Sequence, residues 1–345
     1  MKQRKVFYIS LASVISAFAV VMLHTNGCFW TFSTERYWLT ATIIETVMYF
    51  AVPVFFMISG ATLIDYRERY TTKQFFAKRI EKTVIPFLVW SAVGVVYLCL
   101  KGAMKFELSW AFVKTVLLGI ANSKIISIYW FFISLFTVYL CIPLFASVAK
   151  EIREKVFVYV VAVAFIFNWM IPFLCQVFEI SYTSRIGVPV ALDYLMYVLL
   201  GYLLHNKELR PIHKCAVYAL GLGGLAMHMV GTYILSMEAG YVVQLFKGYT
   251  KVPCLLYSVA VFVLMKDIGE KIEDGRIIKF VEMVGSYTFS IYLMHYYVMD
   301  IMVHLFDINV TSILYRVGAP FVIFAICIGL TWCVRKIPVL RKIVP

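Results

Sequence analysis

Charge is scarce in this 345-residue chain: 32 Lys and Arg and 19 Asp and Glu make 15% of it, where ordinary soluble domains carry about a quarter. Hydrophilic stretches reach only about 20 residues, well short of an independent fold, so residues 1–345 read as a single domain. There is no P-loop, no G-x-S-x-G and no H-E-x-x-H, which removes the common routes to ATPase, serine hydrolase and zinc protease. The eight cysteines never form C-x-x-C. They read as small core hydrophobes, with an outside disulfide at Cys28 as the alternative. His24 and Cys28 stand i,i+4, but two ligands make a weak metal site, so no metal is expected. No fixed-period repeat and no inverted pair of halves is visible, which weakens a transporter built from repeats.

Apolar residues are what the chain has instead. Hydrophobic residues make 62%, aromatics 17%, and the mean hydropathy is +0.86. They fall in blocks of roughly the 17–25 residues needed to cross a hydrocarbon core, and blocks of that length point to helices rather than the short alternating strands of a barrel. The expected fold is therefore an all-α integral membrane bundle of about ten helices. The candidate spans are 6–24, 38–64, 84–101, 127–149, 156–175, 189–205, 215–236, 251–266, 284–304 and 314–334. The first block follows Met-Lys-Gln-Arg-Lys and has no A-x-A cleavage site, so it reads as a retained span. Residues 108–118 are apolar but too short to cross, and are expected to lie in the interface or dip into the protein.

With this layout only Arg36, Lys101, Lys105, Lys114, Lys124, Arg185, Lys247, Lys251 and Arg316 fall on one side, and the rest of the 32 basic residues fall on the other. That bias places both termini in the cytoplasm. The net charge of +13 sits in short loops, where it serves topology and anionic lipid headgroups rather than nucleic acid.

Ionisable groups inside spans are costly and mark functional sites by default. The set is His24, Glu45, Asp193, His228, His295 and Asp300, with Arg316 at an outer end. His24, Glu45, Asp193 and Asp300 lie toward the outer face and His295 near mid-bilayer, which predicts a polar chamber opening outward. Glu45 lies seven residues into its span and needs a partner such as His24. His228 reads as a packing residue. His295-Tyr-Tyr-Val-Met-Asp300 matches an H-x4-D spacing, yet five residues turn a helix by about 140°, so the two side chains diverge. On the cytoplasmic side, Lys78, Arg79 and Lys82 precede the third span. Arg79 and Lys82 are i,i+3 on a helix and would offer two cations to an anion such as a nucleotide phosphate, although topology alone also demands basic residues there.

Four ordered segments carry a family resemblance. They are Ala19-Val-Val-Met-Leu-His24; Val52-Pro-Val-Phe-Phe-Met-Ile-Ser-Gly60 followed by Phe76-Ala-Lys-Arg79-Ile-Glu-Lys82 and Ile85-Pro-Phe87; Tyr129-Trp130-Phe-Phe with Tyr139 and Pro143; and Gly285-Ser-Tyr-Thr-Phe-Ser-Ile-Tyr-Leu-Met-His295. In order and spacing the chain resembles the acyltransferase-3 group of bacterial membrane acyltransferases, which includes surface-polysaccharide O-acetyltransferases. The resemblance implies a bacterial plasma-membrane enzyme with no permanently bound cofactor. It would move an acyl group, often acetyl, from cytoplasmic acyl-CoA to a hydroxyl of an extracytoplasmic or lipid-linked glycan. His24 would be the catalytic general base, with Glu45 beside it. Lys78, Arg79 and Lys82 would contact the CoA phosphates, and Trp130, His295 and Asp300 would line the acceptor site. Membrane lipid is a further partner, and self-association is left open. Many relatives carry Asp and Arg in the first span where this chain has Ser10 and Ser13. That departure keeps a second expectation alive: a transporter or substrate-binding membrane domain of the same fold.

Overall fold

A computed structural model describes residues 4–182 and 187–345; Lys2 and Arg185, used above to orient the chain, lie outside the described residues. The helices are α1 (Arg4–Thr25), α2 (Arg36–Met48), α3 (Ala51–Leu63), α4 (Thr72–Arg79), α5 (Ile85–Leu100), α6 (Trp110–Ala121), α7 (Trp130–Phe145), α8 (Lys150–Ala164), α9 (Ile171–Val177), α10 (Tyr194–Asn206), α11 (Pro211–Ala239), α12 (Val252–Lys271), α13 (Gly275–Gly285), α14 (Thr288–Leu305) and α15 (Ile313–Arg335). The described residues contain no strand. A helix bonds its own backbone, which is what hydrocarbon demands of a spanning segment.

Among the described residues, eight helical runs are long and apolar enough to cross a membrane, or nine if α13 and α14, bent 58° apart, count as one. Several runs join two helices. α2 and α3 form one run, α4 passes into α5 through a π turn at Ile80–Val84, and α8 into α9 through another at Phe165–Met170. The expected span 189–205 is the exception. α10 has 13 residues, about 20 Å at 1.5 Å per residue, because the chain reaches it through a 3-10 turn at Pro189–Ala191 and through Asp193 at φ 46°. Most of the apolar stretch 108–118 falls in α6, which starts at Trp110 and is too short to cross.

Small residues set the closest helix contact. A Cβ on Gly60 would overlap the carbonyl of Val198, and one on Gly201 the backbone of Met57, so α3 and α10 pack backbone to backbone. Close approach through small residues is a common device where lipid tails are as apolar as the side chains. α1, the α2–α3 run and α12 occupy the centre, whereas α5, α8, α11 and α15 lie outside. The outer helices expose Leu88, Leu220, Leu222 and Trp332, as lipid-facing surfaces require.

The two ends of the bundle sort as alternating spans demand. At one end Lys150 pairs with Glu68, Arg153 with Asp65, Lys207 with Glu154 and Lys214 with Asp267. At the other end Lys101 pairs with Asp300 and Lys247 with Glu45, and Arg316 donates to Asn26 and Thr40. Gly285 packs on Ser10 of α1, and Arg335 at the close of α15 donates to Ser286, so the first and last helices share the first of these ends.

Candidate active site

α1 ends with His24 and Thr25, directly after the apolar run Ala19–Leu23. The main chain of Arg316 accepts from the Thr25 hydroxyl, and its guanidinium reaches Asn26 Oδ1 at 3.4 Å, Tyr37 O at 3.3 Å and Thr40 Oγ1 at 2.7 Å. Arg316 is therefore a buried clamp joining α15, the end of α1 and the start of α2. The clamp fixes where His24 points, which is into a cavity of about 470 Å³.

Val20, Leu23, His24, Trp30, Glu45, Tyr49, Val52, Ser127, Ile128, Trp130, Tyr194, Tyr249 and Tyr292 line this cavity. Six of them are aromatic, and the rings brace one another. Tyr49 stacks on Tyr249 at 4.2 Å between centroids, and Trp130 stacks on Tyr249 at 5.6 Å. The hydroxyls of Tyr197 and Tyr292 lock the wall by donating to the carbonyls of Tyr249 and Ile128. The cavity is of the size and character that holds small ligands: apolar walls with a few convergent polar groups.

Two polar features face it. The His24 ring makes no hydrogen bond to another described residue and lies 5.2 Å from the ring of His295. His295 Nδ1 stands 3.0 Å from Ile291 O, and its buried Nε2 has no partner. An imidazole not committed to the protein can exchange a proton with a ligand hydroxyl. The second feature is Glu45. Its partner is not His24 but Lys247, whose ammonium sits 2.7 Å from Oε1, while Oε2 is buried and unpartnered. The Lys247 side chain is fully enclosed, with its ammonium over the rings of Tyr49, Trp30 and Phe29 at 3.6, 4.8 and 5.0 Å, a cation–π cage. Burial pulls that ammonium below its ordinary pKa despite the adjacent carboxylate. No signal in the sequence marks Lys247, which reads as one more loop cation.

The other expected site residues divide. Trp130 lines the cavity and His295 backs His24 without lining it. Asp300 is elsewhere: it accepts from Tyr97 and from Lys101 at 2.6 Å, and so ties α14 to α5. His295 and Asp300 point to different neighbours, as their spacing on one helix requires. His228 is buried against the Tyr49 ring at 5.1 Å, with neither nitrogen bonded.

The cations before the third span do not share a face. The π turn inserts a residue between α4 and α5, so Arg79 lies 5.8 Å from the Phe75 ring and 5.6 Å from the Tyr139 ring, while Lys82 turns into a separate cleft with Glu81, Arg335, Arg341 and Lys342. Lys78 covers the ring of Tyr70 at 4.1 Å. In α1, Ser13 is held by its own helix, with its hydroxyl donating to Ile9 O at 2.8 Å.

No group of three or more potential metal ligands occurs among the described residues. No curated protein and no solved structure matches the sequence. A family model described as an acyltransferase domain does, across residues 6–333. With nearly its whole length matched, and with a bundle of apolar helices enclosing a histidine-bearing cavity, this chain belongs to the acyltransferase-3 family of membrane acyltransferases.

Proposed function

We propose that this acyltransferase takes an acyl group, acetyl in the simplest case, from acyl-CoA on the cytoplasmic side and transfers it to a hydroxyl of a cell-surface or lipid-linked glycan. The membrane is the bacterial plasma membrane, with both termini in the cytoplasm. The observation that carries the reading is the uncommitted imidazole of His24 in an aromatic-walled cavity at the end of the bundle away from the termini. Aromatic faces suit the apolar faces of sugar rings, and hydroxyls can meet His24 and the open oxygen of Glu45.

In this reading His24 accepts the proton of the acceptor hydroxyl as its oxygen attacks the thioester carbonyl. The C–S bond then breaks, the ester forms, and the imidazolium returns its proton to the CoA thiolate. Positioned acid–base catalysis of this kind contributes typically 10²–10⁴-fold. His295 packs against the ring at a tilt of 33° and Lys247 holds Glu45; both are positioning residues. At the other end, of the expected set Lys78, Arg79 and Lys82, it is Lys82 that opens onto a basic cleft where CoA phosphates would be met.

Purified protein given acetyl-CoA and a glycan extract should release free CoA, and His24→Ala should lower that release at least 100-fold. Unchanged turnover in the mutant removes His24 from the reaction. The departure at Ser10 and Ser13 favours a second reading, a solute carrier of the same fold. Accumulation of a small solute in proteoliposomes without consumption of thioester would establish it instead.

A further inference from the structure

The cleft that receives Lys82 is built from three separate parts of the chain. Lys82 comes from the π turn before α5, Arg335 from the last turn of α15, and Arg341 and Lys342 from the short 3-10 turn Leu340–Ile343. Together with Glu81, Val344 and Pro345 they enclose a volume of about 340 Å³. The cleft thus gathers four cationic side chains and a single acidic one, Glu81.

Topology explains basic residues at this end of the bundle but not their convergence or their lack of partners. Lys150, Arg153, Lys207 and Lys214 each meet a carboxylate at the same end. Lys82, Arg341 and Lys342 make neither an ion pair nor a side-chain hydrogen bond with any described residue. Nor is the tail a loose strand that happens to lie near. Trp90 Nε1 donates to Ile343 O at 3.0 Å, Val344 is fully buried, and Arg335 donates to Val344 O at 3.0 Å and to Pro345 O at 2.7 Å. Arg335 also donates to Ser286 and lies over the Tyr287 ring, so its guanidinium is spent on holding the tail. The tail is docked by its backbone and by Val344, and this docking brings Arg341 and Lys342 to Lys82. Like charges held together by other contacts repel one another unless an anion joins them.

We propose that this cleft binds a phosphate-rich anion, with Lys82, Arg341 and Lys342 as its ligands and Arg335 as the residue that positions the tail. Lysine ammonium and arginine guanidinium both serve phosphate, the latter through two parallel hydrogen bonds. Two sources carry that chemistry to a membrane surface: the phosphorylated adenosine diphosphate end of a CoA thioester, and an anionic lipid headgroup. The CoA source rests on the acyl-donor reading above. The anion site itself rests on the cleft.

The full chain, purified in a neutral detergent, is titrated calorimetrically with CoA. In parallel it is reconstituted into nanodiscs of phosphatidylcholine with and without phosphatidylglycerol, and lipid retained through detergent re-extraction is quantified by mass spectrometry. The triple variant Lys82→Gln/Arg341→Gln/Lys342→Gln should weaken CoA binding at least tenfold if the nucleotide is the ligand, or abolish selective phosphatidylglycerol retention if the headgroup is. Lys155→Gln, an exposed cation at the same end outside the cleft, serves as the charge control and should leave both unchanged. Circular dichroism and elution volume verify that each variant is folded. Wild-type levels of CoA binding and lipid retention in a folded triple variant would overturn the proposal. Failure of the wild type to release CoA in the transfer assay overturns the acyl-donor reading alone, since binding to the cleft is measured without turnover.

Discussion

Single side chains at this site act through what they are packed against. Glu45 and Lys247 are both removed from solvent, and breaking a buried pair by deleting one member strands the other charge, at a cost of about 3–5 kcal/mol. Lys247→Met should therefore lower the thermal unfolding midpoint in detergent sharply. Glu45→Gln combined with Lys247→Met should recover most of the loss, because no charge is left uncompensated. If the double variant is no better than the single, the pair is not what holds this corner. The sequence announced the need for a partner, since a carboxylate inside a span is expensive, but not its identity. Lys247 is about 200 positions away along the chain, in a loop whose composition does not set it apart. Arg316 has the same history: its charge was visible, and its enclosure by Asn26, Tyr37 and Thr40 was not.

Elements meet through small residues and turn through π segments, and both have consequences that can be measured. Gly201→Leu should sharply reduce the yield of monodisperse protein, because any Cβ there overlaps the Met57 backbone and neither helix can retreat without opening the core. Gly223→Ala, on α11 with nothing within 4 Å of the added Cβ, should leave yield and melting unchanged or slightly raised, since alanine is the better helix former by about 1 kcal/mol. Equal behaviour of the two variants would show that the α3–α10 contact is not limiting. Hydropathy alone made α10 look like a crossing, because apolar residues before it continue the block, whereas Pro189 and the positive φ of Asp193 end the helix. The π turn at Ile80–Val84 left no mark in the periodicity, and it separates Arg79 from Lys82.

For the whole molecule, the alternation of spans makes a prediction about sides. Green fluorescent protein fused to the C-terminus should fluoresce, and alkaline phosphatase fused there should be inactive. A phosphatase fused after a truncation within the loop at residues 31–35 should be active. The reverse pattern would invert the molecule and put the His24 cavity in the cytoplasm. The sequence by itself determined that the chain is a bundle of apolar helices, that basic residues gather at one end, and that His24 and Glu45 carry unusual cost. These follow from hydrophobic length and from the price of charge in hydrocarbon, which are properties of local segments. Only the tertiary structure decided that Lys247 neutralises Glu45, that Asp300 is held by Lys101 away from the cavity, and that the tail brings Arg341 and Lys342 to Lys82. Such pairings depend on which helix faces which, and that is set by packing between distant segments whose outward composition is nearly the same.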